Sequence, residues 1–170
     1  MNFGIDVKIS NKAEIIRPEL VNIGNHVSID SFVYISTKLT IDDWVHIAPF
    51  VSIVGGVYGE CYIHALCGIA AGTRIICGSI DFMESCLCSF VPNRKEIIKK
   101  VIFEPLTGTG TNAIIMPDVT LAIGSVVGVG SVLLEDTKPW GFYLGNPARF
   151  IKFRNKELIL SKAKEMGYEF

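Results

Sequence analysis

Aliphatic residues recur at every sixth position through Ile23, Ile29, Ile35, Ile41, Ile47 and Ile53. A second apolar row follows four residues after each, at Val27, Val33, Leu39, Val45 and Val51. A helix would space such residues by three and four, and a half-buried strand would alternate them, so a period of six held over five intervals fits neither. It predicts a β-solenoid, in which each unit supplies one short strand and one turn. Three units then make a triangular coil with Ile and Val stacked inside.

The phase breaks after Ile53 and resumes at Ile63, Ile69 and Ile75, so about four extra residues around Val57 to Glu60 bulge from a corner. A longer excursion runs from about Ser79 to Lys100. The repeat restarts at Phe103, Thr109, Ile115, Leu121, Val127 and Leu133, with Thr107, Ala113, Val119, Ser125 and Ser131 in the second row. Loops that project from a rigid scaffold commonly carry binding groups, although a tolerated surface insertion would read the same way. Gly24, Gly72, Gly124, Gly128 and Gly130, with Asn25, Asp30, Asp42 and Asp118, are expected to supply turn chemistry, since these types accept positive φ at least cost.

The pattern gives a solenoid domain over 1–154 and a tail over 155–170 that reads as a short amphipathic helix. Asn155 would be its N-cap, Leu158, Ile159 and Met166 its inner face, and the end of the solenoid the surface it covers. The segment before Leu20 is less regular, and Arg17-Pro18 suggests a bend there.

Composition narrows the class. With 49% hydrophobic and 19% charged residues the chain is not disordered, and some apolar surface is expected between subunits. A formal charge of −1 is no electrostatic footprint for nucleic acid, and no apolar run reaches bilayer-spanning length. The N-terminus has neither basic flank nor apolar segment of signal-peptide type, so a cytoplasmic location is expected. The five cysteines, Cys61, Cys67, Cys77, Cys86 and Cys88, form no Cys-x-x-Cys pair and read as small apolar core residues rather than a zinc site.

The run Ile115-Met-Pro-Asp-Val-Thr-Leu-Ala-Ile-Gly-Ser-Val-Val-Gly-Val-Gly-Ser-Val, followed by Gly145-Asn-Pro-Ala-Arg149, resembles the closing signature of the hexapeptide-repeat acyltransferases. The resemblance extends over about Val21 to Arg154. It implies a left-handed parallel β-helix, a handedness that general rules for parallel crossovers would not supply. It also implies a homotrimer with active sites between subunits, acetyl-CoA as cosubstrate, no metal, and a sugar acceptor, with a nucleotide-linked amino sugar for surface (lipo)polysaccharide synthesis foremost. Two departures from the family pattern are Phe103-Glu-Pro-Leu-Thr-Gly at the restart and His64 after Ile63, where glycine is usual.

Acyl transfer from a thioester needs a base, donors for the developing oxyanion and a held cosubstrate. His46 immediately precedes the inward Ile47, so strand alternation turns it outward onto a flat face, the slot in which several sugar acetyltransferases of the family carry their base. His26 and His64 occupy turn positions. His64 is the alternative base or a substrate contact, and a carboxylate such as Asp42 or Asp43 would orient the imidazole. By resemblance Asp81 and Phe82, in Ser79-Ile-Asp81-Phe82, contact the acceptor. The cosubstrate is assigned Gly110, Ala122, Gly128 and Gly130 along its pantetheine arm and Arg149, Lys152 and Arg154 at its phosphates. O-acetylation of a free or glycan-linked sugar, a zinc hydratase with three convergent histidines and a non-catalytic scaffold are the competing readings.

Overall fold

The six-residue period is realised as three parallel sheets wrapped into a prism, in a computed structural model that describes residues 1–83 and 95–170. The first face stacks Asn2–Phe3, Val21–Ile23, Lys38–Ile41, Glu60–Ile63, Lys100–Phe103 and Thr120–Leu121. The second stacks Lys8–Ile9, Ser28–Ile29, His46–Ile47, Gly68–Ile69, Gly108–Thr109 and Val126–Val127, then adds Gly141–Gly145 and the antiparallel Ala148–Phe153. The third stacks Glu14–Ile15, Tyr34–Ile35, Ser52–Val54, Arg74–Ile76, Ile114–Ile115 and Val132–Leu133. The parallel β-solenoid expected from the repeat is therefore present, and it begins earlier than the sequence pattern suggested. Residues 1–20 form a first coil, in register with the second at Phe3↔Ile23, Ile9↔Ile29 and Ile15↔Ile35, before a single 3₁₀ turn at Pro18–Leu20.

The aliphatic columns make the core. Ile29, Ile47 and Ile69 stack on one face and Ile35, Ile53, Ile75 and Ile115 on another, all essentially inaccessible. Each such side chain contributes roughly 1.5–3 kcal/mol relative to exposure. Toward the C-terminal half the second row turns polar, and its hydroxyls are satisfied internally. Thr107 donates to the Glu104 carbonyl at 2.8 Å and Thr137 to Ser125 at 2.7 Å. Cys61, Cys67 and Cys77 are buried free thiols, and burial pushes the Cys67 thiol up to about 11. Cys86 and Cys88 lie outside the described residues.

The corners correct one expectation. Positive φ does occur at Gly72, Gly124, Gly130 and Asp118, but also at His26, Phe32, Trp44, Phe50, Leu66 and Leu106. Gly24, Gly128, Asn25, Asp30 and Asp42 are not among the positive-φ residues. At the corners that hold a bulky left-handed residue, the cost of about 1–2 kcal/mol is borne by inter-coil hydrogen bonds. Trp44 N–H, for example, donates to the Asn25 carbonyl at 2.9 Å.

The long excursion opens as a two-stranded antiparallel arm, Gly78–Ile80 paired with Glu96–Ile98, which leaves after the third face and returns into the first. The tail helix, Lys156–Glu165, has the predicted Asn155 cap, whose side chain accepts from Leu158 N–H at 3.0 Å. Its position and buried face differ from expectation. Ala163 is the buried residue while Leu158 and Met166 are exposed, and Tyr168 hydroxyl reaches back to Asp43 at 3.3 Å. The tail thus runs along a long edge of the prism, because an aromatic after the helix finds a carboxylate several coils back. Among the described residues, no helix is long and apolar enough to cross a membrane.

Candidate active site on the second face

The outward-facing row of the second face reads, strand by strand, Lys8, Ser28, His46, Gly68, Gly108, Val126 and Phe142, with Lys152 paired to Phe142 across the antiparallel return. With adjacent strands about 4.8 Å apart, His46 and Lys152 stand about 24 Å apart along one straight row. Between them lie two residues without side chains. A methyl group placed on Gly68 would meet no atom within 4 Å, and one on Gly108 would come 3.2 Å from the Gly68 carbonyl oxygen. The row beside His46 is bare backbone over two successive rungs.

His46 is exposed, as strand alternation predicts, and its Nε2 lies 2.8 Å from Asp30 Oδ2. Asp30 therefore takes the place that the sequence offered to Asp42 or Asp43. Asp42 instead pairs with His64, Oδ2 to Nδ1 at 2.9 Å, and accepts the Tyr62 hydroxyl at 3.3 Å. Burial, and then the Asp42 charge, raise the Tyr62 phenol above its ordinary value. Asp43 accepts from the Asn25 backbone N–H at 2.7 Å. His26 contacts Asp6 at 3.1 Å and stacks on Trp44 with ring centroids 4.1 Å apart. All three histidines meet an aspartate from the preceding coil, but only His46 does so on a flat face beside open backbone. Among the described residues, no three His, Cys, Asp or Glu side chains converge as a metal site would need.

Asp81 and Phe82 stand elsewhere. They follow Gly78–Ile80 on the arm rooted between the third and first faces, whereas His46 is on the second, so one chain does not assemble them around the imidazole. Asp81 is mostly covered; its Oδ1 accepts Met83 N–H at 3.0 Å and its Oδ2 lies 3.7 Å from Lys95 Nζ. Phe82 is 63% exposed.

The residues assigned to the cosubstrate divide. Gly110 is required by close backbone packing, since a methyl group there would fall 2.5 Å from Val129 N, whereas one on Gly128 would meet a side-chain end, Leu144 Cδ1, at 2.6 Å and the Tyr143 carbonyl oxygen at 3.2 Å. Gly130 holds φ 63° at an open corner. Ala122 is half-buried and donates its N–H to Thr137 Oγ1 at 2.8 Å. Arg149 and Lys152 are exposed on the returning strand. Arg154 turns inward, donating to the Leu106 carbonyl at 3.1 Å and to that of Gly124, and burial lowers its pKa. Asp30 and Gly68 were not singled out for the site by sequence reasoning. The repeat itself carried the signal for Gly68, which sits directly before Ile69 as His46 sits before Ile47.

No family model matches the chain. The dTDP-4-amino-4,6-dideoxy-D-glucose acyltransferase of Escherichia coli is 31% identical over 162 residues, covering 92% of this chain and 83% of that protein. AntD, an N-acyltransferase from Bacillus cereus solved with dTDP and 3-hydroxybutyryl-CoA, superposes with a TM-score of 0.90 at 31% identity, covering 96% of this chain and 88% of AntD. A hexapeptide-repeat containing acetyltransferase from Vibrio cholerae shares the fold at a TM-score of 0.57 and 22% identity, over 89% of this chain and 73% of that one. Repeat, closing signature and full-length likeness agree: the chain belongs to the hexapeptide-repeat acyltransferases, in the branch that acts on sugars.

Proposed function

We propose that this enzyme transfers an acetyl group from acetyl-CoA to the amino group of a sugar carried on deoxythymidine diphosphate, with His46 as general base. The observation that carries the reading is the placement of His46 at one end of the bare Gly68–Gly108 stretch whose row ends at Lys152. A pantetheine arm laid along that row has bare backbone on its floor at Gly68 and Gly108, the side chains of Val126 and Phe142 beyond them, and cations, Arg149 and Lys152, at the far end for phosphates. Its thioester then reaches the imidazole. Gly110, Ala122, Gly128 and Gly130 flank the arm through their backbone, while Arg154 serves it indirectly by holding the corner.

The amine nitrogen attacks the thioester carbonyl carbon as His46 removes its proton; the carbon–sulfur bond then breaks, and the thiolate leaves and is protonated. The amide and free CoA are the products. The substrates named for the Escherichia coli relative and AntD support the acceptor class and the CoA thioester.

Asp81 and Phe82 meet the acceptor in this reading only if the arm of a neighbouring copy lies over the second face, which is our reason for a homotrimer with sites between subunits. Exposed Phe32 and Phe50, stacked at 5.1 Å, are apolar surface available for such packing. Acyl-CoA and nucleotide sugars are cytoplasmic metabolites, so we place the enzyme there, supplying a surface polysaccharide. A second reading moves the base to His64, whose Nδ1 lies 2.9 Å from Asp42 Oδ2.

The test is CoA release across amino and hydroxy sugars, free and nucleotide-linked, with acetyl- and 3-hydroxybutyryl-CoA. Highest kcat/KM is expected for a dTDP-linked amino sugar with acetyl-CoA. Turnover of hydroxy sugars alone would replace the amide product by an ester.

A further inference from the structure

We infer that the cleft at the N-terminal end of the His46 row, walled by the first coil, receives the acceptor's hexose and the phosphate attached to it. The acceptor and CoA then meet at the imidazole from opposite ends of one row. The inference rests on the reading of His46 as base and of a nucleotide-linked amino sugar as acceptor.

The row continues past His46, away from Gly68, to Ser28 and then Lys8. These two open on a cleft of about 560 Å³ whose rim adds Ser10, Ser31 and Pro49. That volume falls within the roughly 300–1,000 Å³ of small-molecule sites. Its polar wall is built of hydroxyls. Ser10 Oγ and Ser31 Oγ lie 2.9 Å apart on adjacent coils, so the pair uses one hydroxyl hydrogen between them and has a second to give to a ligand. Ser10 is itself held by the coils: its N–H donates to the Ile29 carbonyl at 2.9 Å and its Oγ accepts the Lys12 N–H at 3.2 Å. A wall of fixed hydroxyls suits a ligand rich in hydroxyls, and Pro49 gives a sugar ring an apolar edge to rest on.

Lys8 supplies the charge. Its side chain is 77% exposed and lies 3.6 Å from Asp6, a loose surface pair that leaves ammonium hydrogens for a phosphate. Two strand spacings, about 10 Å, separate Lys8 from His46, a span that one hexose ring and the lysine side chain bridge together. The carboxylate in the cleft, Asp30, lies 2.8 Å from His46 Nε2 and so stands at the amine end, away from the phosphate. Arg149 and Lys152, at the other end of the row, serve CoA, so the two substrates draw on separate cations.

Lys8→Ala and Ser28→Leu test this, both at outward positions that leave the aliphatic columns untouched. In titration calorimetry dTDP should bind Lys8→Ala about tenfold more weakly, with the gap narrowing in high salt and CoA affinity unchanged. Ser28→Leu fills the space between lysine and imidazole, and should raise KM for a dTDP-linked amino sugar about tenfold or more while KM for acetyl-CoA stays as it was. Full dTDP affinity in Lys8→Ala with an unmoved sugar KM in Ser28→Leu overturns the inference, as does an equal loss of CoA affinity in either variant. The underlying reading fails separately. Full turnover in His46→Ala removes the base while the dTDP titrations still judge the cleft, and an unsubstituted enzyme that neither binds dTDP nor acylates a nucleotide-linked amino sugar overturns both.

Discussion

His46 and Gly68 occupy the same outward slot on adjacent coils, so the one histidine that a flat face presents stands beside a rung with no side chain. Packing does not account for that glycine. Its φ is not positive and a methyl group there would touch nothing, so a β-branched residue would suit the strand better.

Gly68→Ala is therefore expected to stabilise the fold by about 0.5–1 kcal/mol, by removing unfolded-state freedom without a clash. Gly68→Val should keep that stability while raising KM for acyl-CoA about tenfold, a loss of about 1.4 kcal/mol. Thermal melts and initial rates on the same preparations check both signs.

Arg154 and its neighbours should separate by measurement. Arg154→Met removes donors from the carbonyls of Leu106 and Gly124 and should cost about 1–3 kcal/mol in urea unfolding. Arg149→Ala and Lys152→Ala are exposed changes, expected to leave stability within about 0.5 kcal/mol. Those two should instead weaken CoA binding, more so at low salt, in titration calorimetry.

Asp43 ties the tail to the prism. Its carboxyl is held below the ordinary range, first by the Asn25 backbone N–H and then, against some burial, by the Asn25 amide and the Tyr168 hydroxyl. A folded-state value below the unfolded one adds stability above the ordinary carboxylate pKa of about 3.9, and that stability is lost as pH falls through the folded value. The stability gap between the unsubstituted enzyme and Asp43→Asn should therefore be open at neutral pH and close in acid. Urea titrations across that range measure it.

Much of this architecture could be read from the chain before any coordinates. The columns from Ile23 to Ile53 state the period outright, and the outward orientation of His46 follows from its place before Ile47. Its carboxylate partner was hidden, because Asp42 and Asp43 are nearer in sequence while Asp30 is nearer in space, one coil back and diagonal across the strands. The first coil is less legible because its apolar positions, Phe3, Ile9 and Ile15, fall out of phase with the columns that start at Ile23, across the bend at Arg17-Pro18. The pairing of Gly78–Ile80 with Glu96–Ile98 was equally silent, since an insertion owes nothing to the six-residue period. Arg154 follows the signature motif and so reads as a phosphate ligand of the cosubstrate, and only the positions of two carbonyls show what it holds.

The proposed chemistry turns on one imidazole beside a bare strand pair. Its most direct test is the turnover of His46→Ala with a dTDP-linked amino sugar and acetyl-CoA, read together with CoA affinity. A kcat lowered at least about a hundredfold with affinity nearly unchanged is expected. Undiminished kcat would contradict it and pass the role to His64 or to the substrate's own groups.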